Sequence, residues 1–235
     1  MKEKIYTIPV SEAFDADTEC ALCYMKKVLE EDALNYVMGP SYMEDDVRTV
    51  TNQLGFCMKH VEQLSQRKNT LGLALMLHTH MAKVNKDLKK LVPDNEKNGL
   101  FKKKVDPSQL LAYINNLQTS CYICNKVDET MERYIDTIFM LWAKEGTFRE
   151  KFNHSKGFCT YHYGKLYQKS IETLSGKQST LFLEELNRLY FENIQRVSDD
   201  LDWFIKKFDY LNHDKPWKDS KDAVPRTMIK TNSKI

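Results

Sequence analysis

One hexapeptide pattern occurs twice in this chain, as Gly55-Phe56-Cys57-Met58-Lys59-His60 and as Gly157-Phe158-Cys159-Thr160-Tyr161-His162. A CxxC pair precedes each copy: Cys20 and Cys23 before the first, Cys121 and Cys124 before the second. Between second and third cysteine lie 33 residues in one set and 34 in the other. These pairs use all six cysteines and two of the six histidines. Three thiolates and one imidazole make a four-ligand set of the kind that encloses zinc. The expectation is therefore two metal sites, Cys20, Cys23, Cys57, His60 and Cys121, Cys124, Cys159, His162, with two zinc ions per chain. The sets could also be exchanged between halves, Cys20 and Cys23 meeting Cys159 and His162, but local pairing is simpler.

The spacing has a physical reason. Two cysteines separated by two residues can aim both sulfurs at one point about 2.3 Å away. Cys57 and His60 are three apart, so in a first helical turn they share a face. An interval of 33 residues is longer than the roughly 15–20 of a zinc ribbon. It suits two helices that leave the site and return to it. At helix N-termini the partial positive charge favours thiolate over thiol. Four protein ligands leave no position for water, which marks a structural ion. A dithiol redox centre would use Cys20 and Cys23 and leave Cys57 and His60 idle. An iron–sulfur cluster on the same residues, in a sensor or enzyme, is the alternative cofactor.

Eight glycines and six prolines in 235 residues are few turn formers, which favours an all-α fold. A formal charge of +2 gives no general attraction to nucleic acid or acidic lipid. Lysines 83, 86, 89, 90, 97, 102, 103 and 104 make the join between halves basic, as a solvent-facing helix and loop would. Nucleic acid is not the expected partner, and a nucleic-acid-binding regulator is the further alternative function these lysines allow. No apolar segment of a signal peptide follows Met1, and the run Leu71–Leu77 is too short to span a bilayer. The expectation is a cytoplasmic protein with reduced thiols and no membrane partner. No glycine-rich phosphate loop, nucleophile elbow or zinc-protease motif is present, so an enzyme is not expected.

Along the chain, residues 1–17 contain Pro9 and read as an extended arm. A helix over 18–38 carries Leu22, Met25, Leu29, Ala33 and Val37 on one side, and Gly39-Pro40 ends it. Ser41 to Glu44 has the form of a capping box. A fourth helix over 69–91 has the seam Leu77, Met81, Val84, Leu88 and Leu91. Pro93 to Gly99 is a loop, and Phe101 to Asp106 a bridge. In the second half, Thr119 or Ser120 caps a helix carrying Cys121 to Trp142, Gly146 breaks it, and a long helix covers 178–211. An offset of 113 residues carries the first seam onto Tyr190, Ile194, Val197, Leu201 and Phe204, and Asp87 onto Asp200. The CxxC pairs are offset by 101 and the Cys/His pairs by 102. Common order, caps and seam predict an internally duplicated helical bundle, with modules 1–104 and 105–235 pinned by metal and packed through the two seams. Beyond Pro216 the tail is polar and expected to be poorly ordered at its end.

Other motifs have bland explanations. His78 and His80 are two apart and face different ways; His78 beside Leu77 reads as partly buried. His154 reads as a surface histidine, with a place beside the second metal set as its other reading. The stretch from Asp94 begins like a calcium loop but has Val105 where glutamate is needed. Glu44, Asp45 and Asp46 suit a first helical turn.

The wording of Leu34 to Arg48, with Gly39-Pro40-Ser41-Tyr42-Met43-Glu44-Asp45-Asp46-Val47-Arg48, followed by Gly55-Phe56-Cys57 and Leu71-Gly72-Leu73-Ala74-Leu75, resembles domain of unknown function family 6062. Lys221-Asp222-Ala223-Val224-Pro225-Arg226 extends the likeness toward the end of the chain. The family is bacterial and found largely in anaerobic Gram-positive species; it implies a bacterial, cytoplasmic protein and supplies no activity. The reading is of a binding or scaffold protein with an unknown protein or small-molecule partner, as monomer or homodimer. Its working surface would be the groove between modules, or aromatics such as Tyr42, Trp142, Tyr161 and Tyr163.

Overall fold

The computed structural model describes residues 3–92 and 106–233. Among these residues the chain forms eleven α-helices and no strand, in agreement with the all-α expectation. They are α1 (Glu3–Asp15), α2 (Ala21–Met38), α3 (Asp45–Leu54), α4 (Met58–Ser65), α5 (Thr70–Leu91), α6 (Ser108–Thr119), α7 (Tyr122–Lys144), α8 (Gly146–His154), α9 (Thr160–Thr173), α10 (Gly176–Lys206) and α11 (Ala223–Asn232). Two compact units result, Met1–Val28 with Thr130–Ile235, and Leu29–Glu129. The boundaries fall inside α2 and α7, whereas the expected modules divide at 104/105.

In the unit 29–129, α3 lies along α5, and the Arg48 guanidinium donates to Thr79 Oγ1 at 3.1 Å. The helix α5 starts where expected, and Asn69 caps it: its Oδ1 accepts from the Gly72 N–H at 2.9 Å, while its Nδ2 donates to the Met38 carbonyl at 2.8 Å. One side chain thus satisfies an orphan donor of α5 and an orphan acceptor of α2. The capping box at Ser41 does not form. A 3₁₀ turn occupies Pro40–Met43, Ser41 Oγ donates to the Tyr36 carbonyl, and α3 starts after Glu44. The helix α6 was not anticipated. His78 is exposed rather than partly buried, while His80 Nδ1 donates to the Asn52 carbonyl at 2.8 Å.

The other unit is built on aromatic packing. Phe139, Phe152, Phe158 and Phe182 are fully buried, each worth about 2–3 kcal/mol of transfer free energy. Phe14 joins them from α1, with ring centroids 5.1 Å from Phe148 and 5.8 Å from Phe152. This overturns the extended arm. Pro9 lies inside α1, but Val10, Ala13 and Phe14 are buried, and their packing outweighs one lost backbone hydrogen bond. Within the tail, α11 buries Ala223, Arg226 and Lys230, and residues 234–235 lie outside the described residues. Long helices find neighbours within their own units: α5 on α3, α4 and α6, and α10 on α9 and α11. On α5 the buried residues are Gly72, Leu73 and Met76, not the seam beginning at Leu77. The expected loop Pro93–Gly99, the calcium-like stretch and Lys97, Lys102, Lys103 and Lys104 lie outside the described residues.

Candidate metal centres

All four ligand pairs stand at helix N-termini. Cys20 and Cys121 immediately precede α2 and α7, and their carbonyls accept the N–H groups of Tyr24 (3.1 Å) and Asn125 (3.0 Å). Cys57 and Cys159 are the N-cap residues of α4 and α9, with nearly equal backbone angles (φ −70°, ψ 165° and φ −73°, ψ 161°). Before each lies a glycine with positive φ, 60° at Gly55 and 73° at Gly157. A Cβ at Gly55 would stand 2.5 Å from His80 Nε2, and one at Gly157 2.8 Å from the Leu189 carbonyl oxygen. The bare backbone lets the turn press against a long helix and delivers Cys and His in register.

The eight residues gather as two quartets, in the crossed arrangement. Cys20, Cys23, Cys159 and His162 form one, within the unit 1–28 and 130–235; Cys57, His60, Cys121 and Cys124 form the other, within 29–129. The simpler local pairing is not what the fold makes. The reason is length. The 18 residues of α2 carry the chain about 27 Å from its CxxC end, and the ten residues of α3 return only about 15 Å. In the second half, 23 residues in α7 are followed by nine in α8, about 35 Å against 14 Å. Neither Cys/His pair is brought back to its own CxxC, and each meets the other copy's.

In each quartet the ligand atoms lie within 4.8 Å of one another. Cys23 and Cys159 sulfurs are 3.6 Å apart, and Cys57 and Cys124 sulfurs 4.0 Å. Each histidine turns Nδ1 toward the sulfurs, His162 at 3.2, 3.3 and 3.5 Å and His60 at 3.2, 3.2 and 3.5 Å. A tetrahedron around one zinc with bonds of about 2.0–2.3 Å has edges of about 3.5–3.8 Å. The donors therefore fit a single four-coordinate ion, and all six cysteines are free thiols.

Electrostatics in the clusters favour a cation. Burial pushes the Cys20 thiol up to about 12. The contact with Cys159 raises Cys23 too, and thiol donation by Cys20 and Cys23 holds Cys159 well below its ordinary value. Burial opposes ionisation of Cys121, but His60 and the nearby backbone N–H groups bring it down to about 6; burial and its two cysteine neighbours raise Cys124 to about 12. One thiol per cluster ionises easily at the expense of the others. Three thiolates together need a compensating positive charge.

The second quartet has a supporting acid that the sequence did not reveal. Glu30 Oε1 accepts from His60 Nε2 at 2.9 Å and from Lys59 Nζ at 2.5 Å. Partial burial pushes the Glu30 carboxyl up, but Lys59 and His60 outweigh it and hold it below its usual value. With its proton on Nε2, His60 presents the Nδ1 lone pair to the sulfurs. Glu30 lies in an acidic run, Glu30-Glu31-Asp32, with no spacing that singles it out. Among the decoys, His154 is exposed and bonds the Glu150 carbonyl of its own helix. Of the aromatics expected at a working surface, Trp142 is buried and Tyr163 stacks on Tyr190 with centroids 4.0 Å apart, whereas Tyr161 is exposed. No described helix is long and apolar enough to cross a membrane.

The model of one family, described as a family of unknown function (DUF6062), matches residues 1–235. No curated protein and no solved structure matches the chain.

Proposed function

Since the chain belongs to the DUF6062 family, for which no function is recorded, we propose a function from its own residues: a helical binding or scaffold protein that holds two structural zinc ions. The ligands are Cys20, Cys23, Cys159 and His162 for one ion and Cys57, His60, Cys121 and Cys124 for the other. The observation that carries this is the convergence of four soft donors within 4.8 Å in each quartet. That spacing supports one ion rather than an iron–sulfur cluster, whose thiolates bind different irons and stand farther apart. Three thiolates and an imidazole fill a tetrahedral site and supply folding energy without an open catalytic position. Free thiols support a reducing, cytoplasmic setting.

Internal duplication is part of this reading, with modules 1–104 and 105–235. Gly55 abuts His80 and Gly157 abuts Asn193, and these contacts share the offset of 113 residues on the long helices. Buried Leu73 and Met76 fall on buried Leu186 and Leu189 by the same offset.

Elemental analysis combined with paired substitutions tests the proposal. Purified protein should contain two zinc ions per chain. Cys20→Ser and Cys159→Ser should each remove one ion, and the double variant should lose no more than either alone. Loss of both ions in the double variant would restore local pairing. A band near 400 nm in protein purified without oxygen would replace zinc by iron.

A further inference from the structure

The two quartets differ in how they are closed. Cys20, Cys23, Cys159 and His162 are all at most 3% exposed, whereas Cys57 and Cys124 are partly open to solvent. The sulfurs of these two half-buried residues are 4.0 Å apart and so share one edge of the quartet. The difference has an identifiable source in α11. At each centre, the residue before the CxxC pair and the residue before the glycine are linked by hydrogen bonds. In the open quartet these are Ser120 and Leu54, joined directly by the Ser120 hydroxyl donating to the Leu54 carbonyl at 2.8 Å. In the closed quartet they are Glu19 and Lys156, joined by a side chain from elsewhere. Lys230 of α11, 1% exposed, donates from Nζ to the Glu19 carbonyl at 2.7 Å and also to the Lys156 carbonyl. Its charge is met by Glu19 Oε2 at 3.2 Å. The same helix places Ser233 Oγ 3.0 Å from Cys159 Sγ, and Thr160 Oγ1 donates to the Lys230 carbonyl at 3.1 Å.

Resting on the reading of both quartets as metal sites, we propose that Cys57, His60, Cys121 and Cys124 form an exchangeable site, while α11 locks the other ion in place. The exchange partners are divalent metal ions carried by small thiols or chelators. Exchange proceeds by ligand substitution. In such an exchange an acceptor thiol would replace Cys57 or Cys124 as ligand, its proton passing by way of solvent to the departing cysteine thiolate, with no change of oxidation state. Glu30 acts on affinity, by holding His60 in its ligating tautomer, and the open edge acts on rate. A tight site can therefore still exchange readily.

The test is release of metal from the full-length zinc-loaded protein to a pyridylazo-resorcinol dye, followed by absorbance. One equivalent per chain should leave in a fast phase and the second in a distinctly slower one. Cys57→Ser should abolish the fast phase and keep the slow one, and Lys230→Met should move the second equivalent into the fast phase. As a readout that needs no variant to fold, native protein treated with iodoacetamide should be alkylated at Cys57 and Cys124 before Cys20, Cys23 and Cys159, read by mass spectrometry. Two ions leaving at one rate, or alkylation starting at Cys159, would overturn the exchangeable site and leave metal binding standing. A Lys230→Met protein that folds and keeps its slow phase would refute the lock. Protein that elemental analysis finds without metal, at either site, would overturn both readings together.

Discussion

At the scale of residues, the chemistry depends on which atom of each side chain is available. His60 and His162 both offer Nδ1 to the sulfurs, but among the described residues only His60 has a carboxylate on its other nitrogen. Substituting Glu30 by Ala should therefore weaken metal binding at the Cys57 quartet by about 10–100-fold while leaving the Cys20 quartet unchanged. Competition titration with a calibrated chelator measures both. Equal weakening at both sites would mean that Glu30 supports the fold and not the ligand. Gly157 carries the other residue-scale prediction. Its φ of 73° and the 2.8 Å approach to the Leu189 carbonyl make Gly157→Ala destabilising by about 1–3 kcal/mol. Gly146, where an added Cβ meets nothing within 4 Å, is the control that should tolerate alanine.

Among elements, α7, α8 and α10 are joined by one carboxylate. Glu185 of α10 accepts from Trp142 Nε1 of α7 at 2.8 Å and from Arg149 Nε and Asn153 Nδ2 of α8 at 2.9 and 3.1 Å. Burial pushes the Glu185 carboxyl up, but these donors, Arg149 above all, hold it below the usual glutamate range. Because the folded value is the lower one, its contribution is full above the unfolded value of about 4.3 and fades as pH falls through the folded value. Glu185→Gln should lower stability at pH 7 by about 1–3 kcal/mol and flatten the acid limb of a plot of stability against pH. Denaturant melts across that range decide it; parallel curves for the two proteins would show that the network contributes nothing through charge.

For the whole molecule, the crossed pairing sets how metal is coupled to folding. One centre joins residues 136 positions apart, Cys23 to Cys159, and the other joins residues 67 apart, Cys57 to Cys124. A doubling of loop length changes closure entropy by only about 0.6 kcal/mol, so loop length does not separate the two centres. Each zinc would instead contribute on the order of 10 kcal/mol, comparable to the net stability of a typical domain. Stripping both ions with a chelator should therefore lower the melting temperature sharply and reduce the helical circular dichroism signal, with recovery on adding zinc back. A chelated protein with unchanged signal and melting point would show that the helices stand without their clamps.

How much of this was legible in the residues follows from range. Cysteine and histidine spacing, the Gly39-Pro40 stop and the scarcity of turn formers act within a few residues, so the sequence alone determined the all-α class, the eight converging side chains and the approximate extent of α2, α5 and α10. What lay beyond it were outcomes settled by contacts between distant segments. Pro9 argued against α1 until Phe14 found its aromatic partners, and the polar tail became α11 only because Lys230 found carbonyls to fill. The grouping of ligands was decided the same way: the helices leading away from each CxxC are longer than those leading back, and only the assembled chain brings each Cys/His pair to the other copy's thiolates.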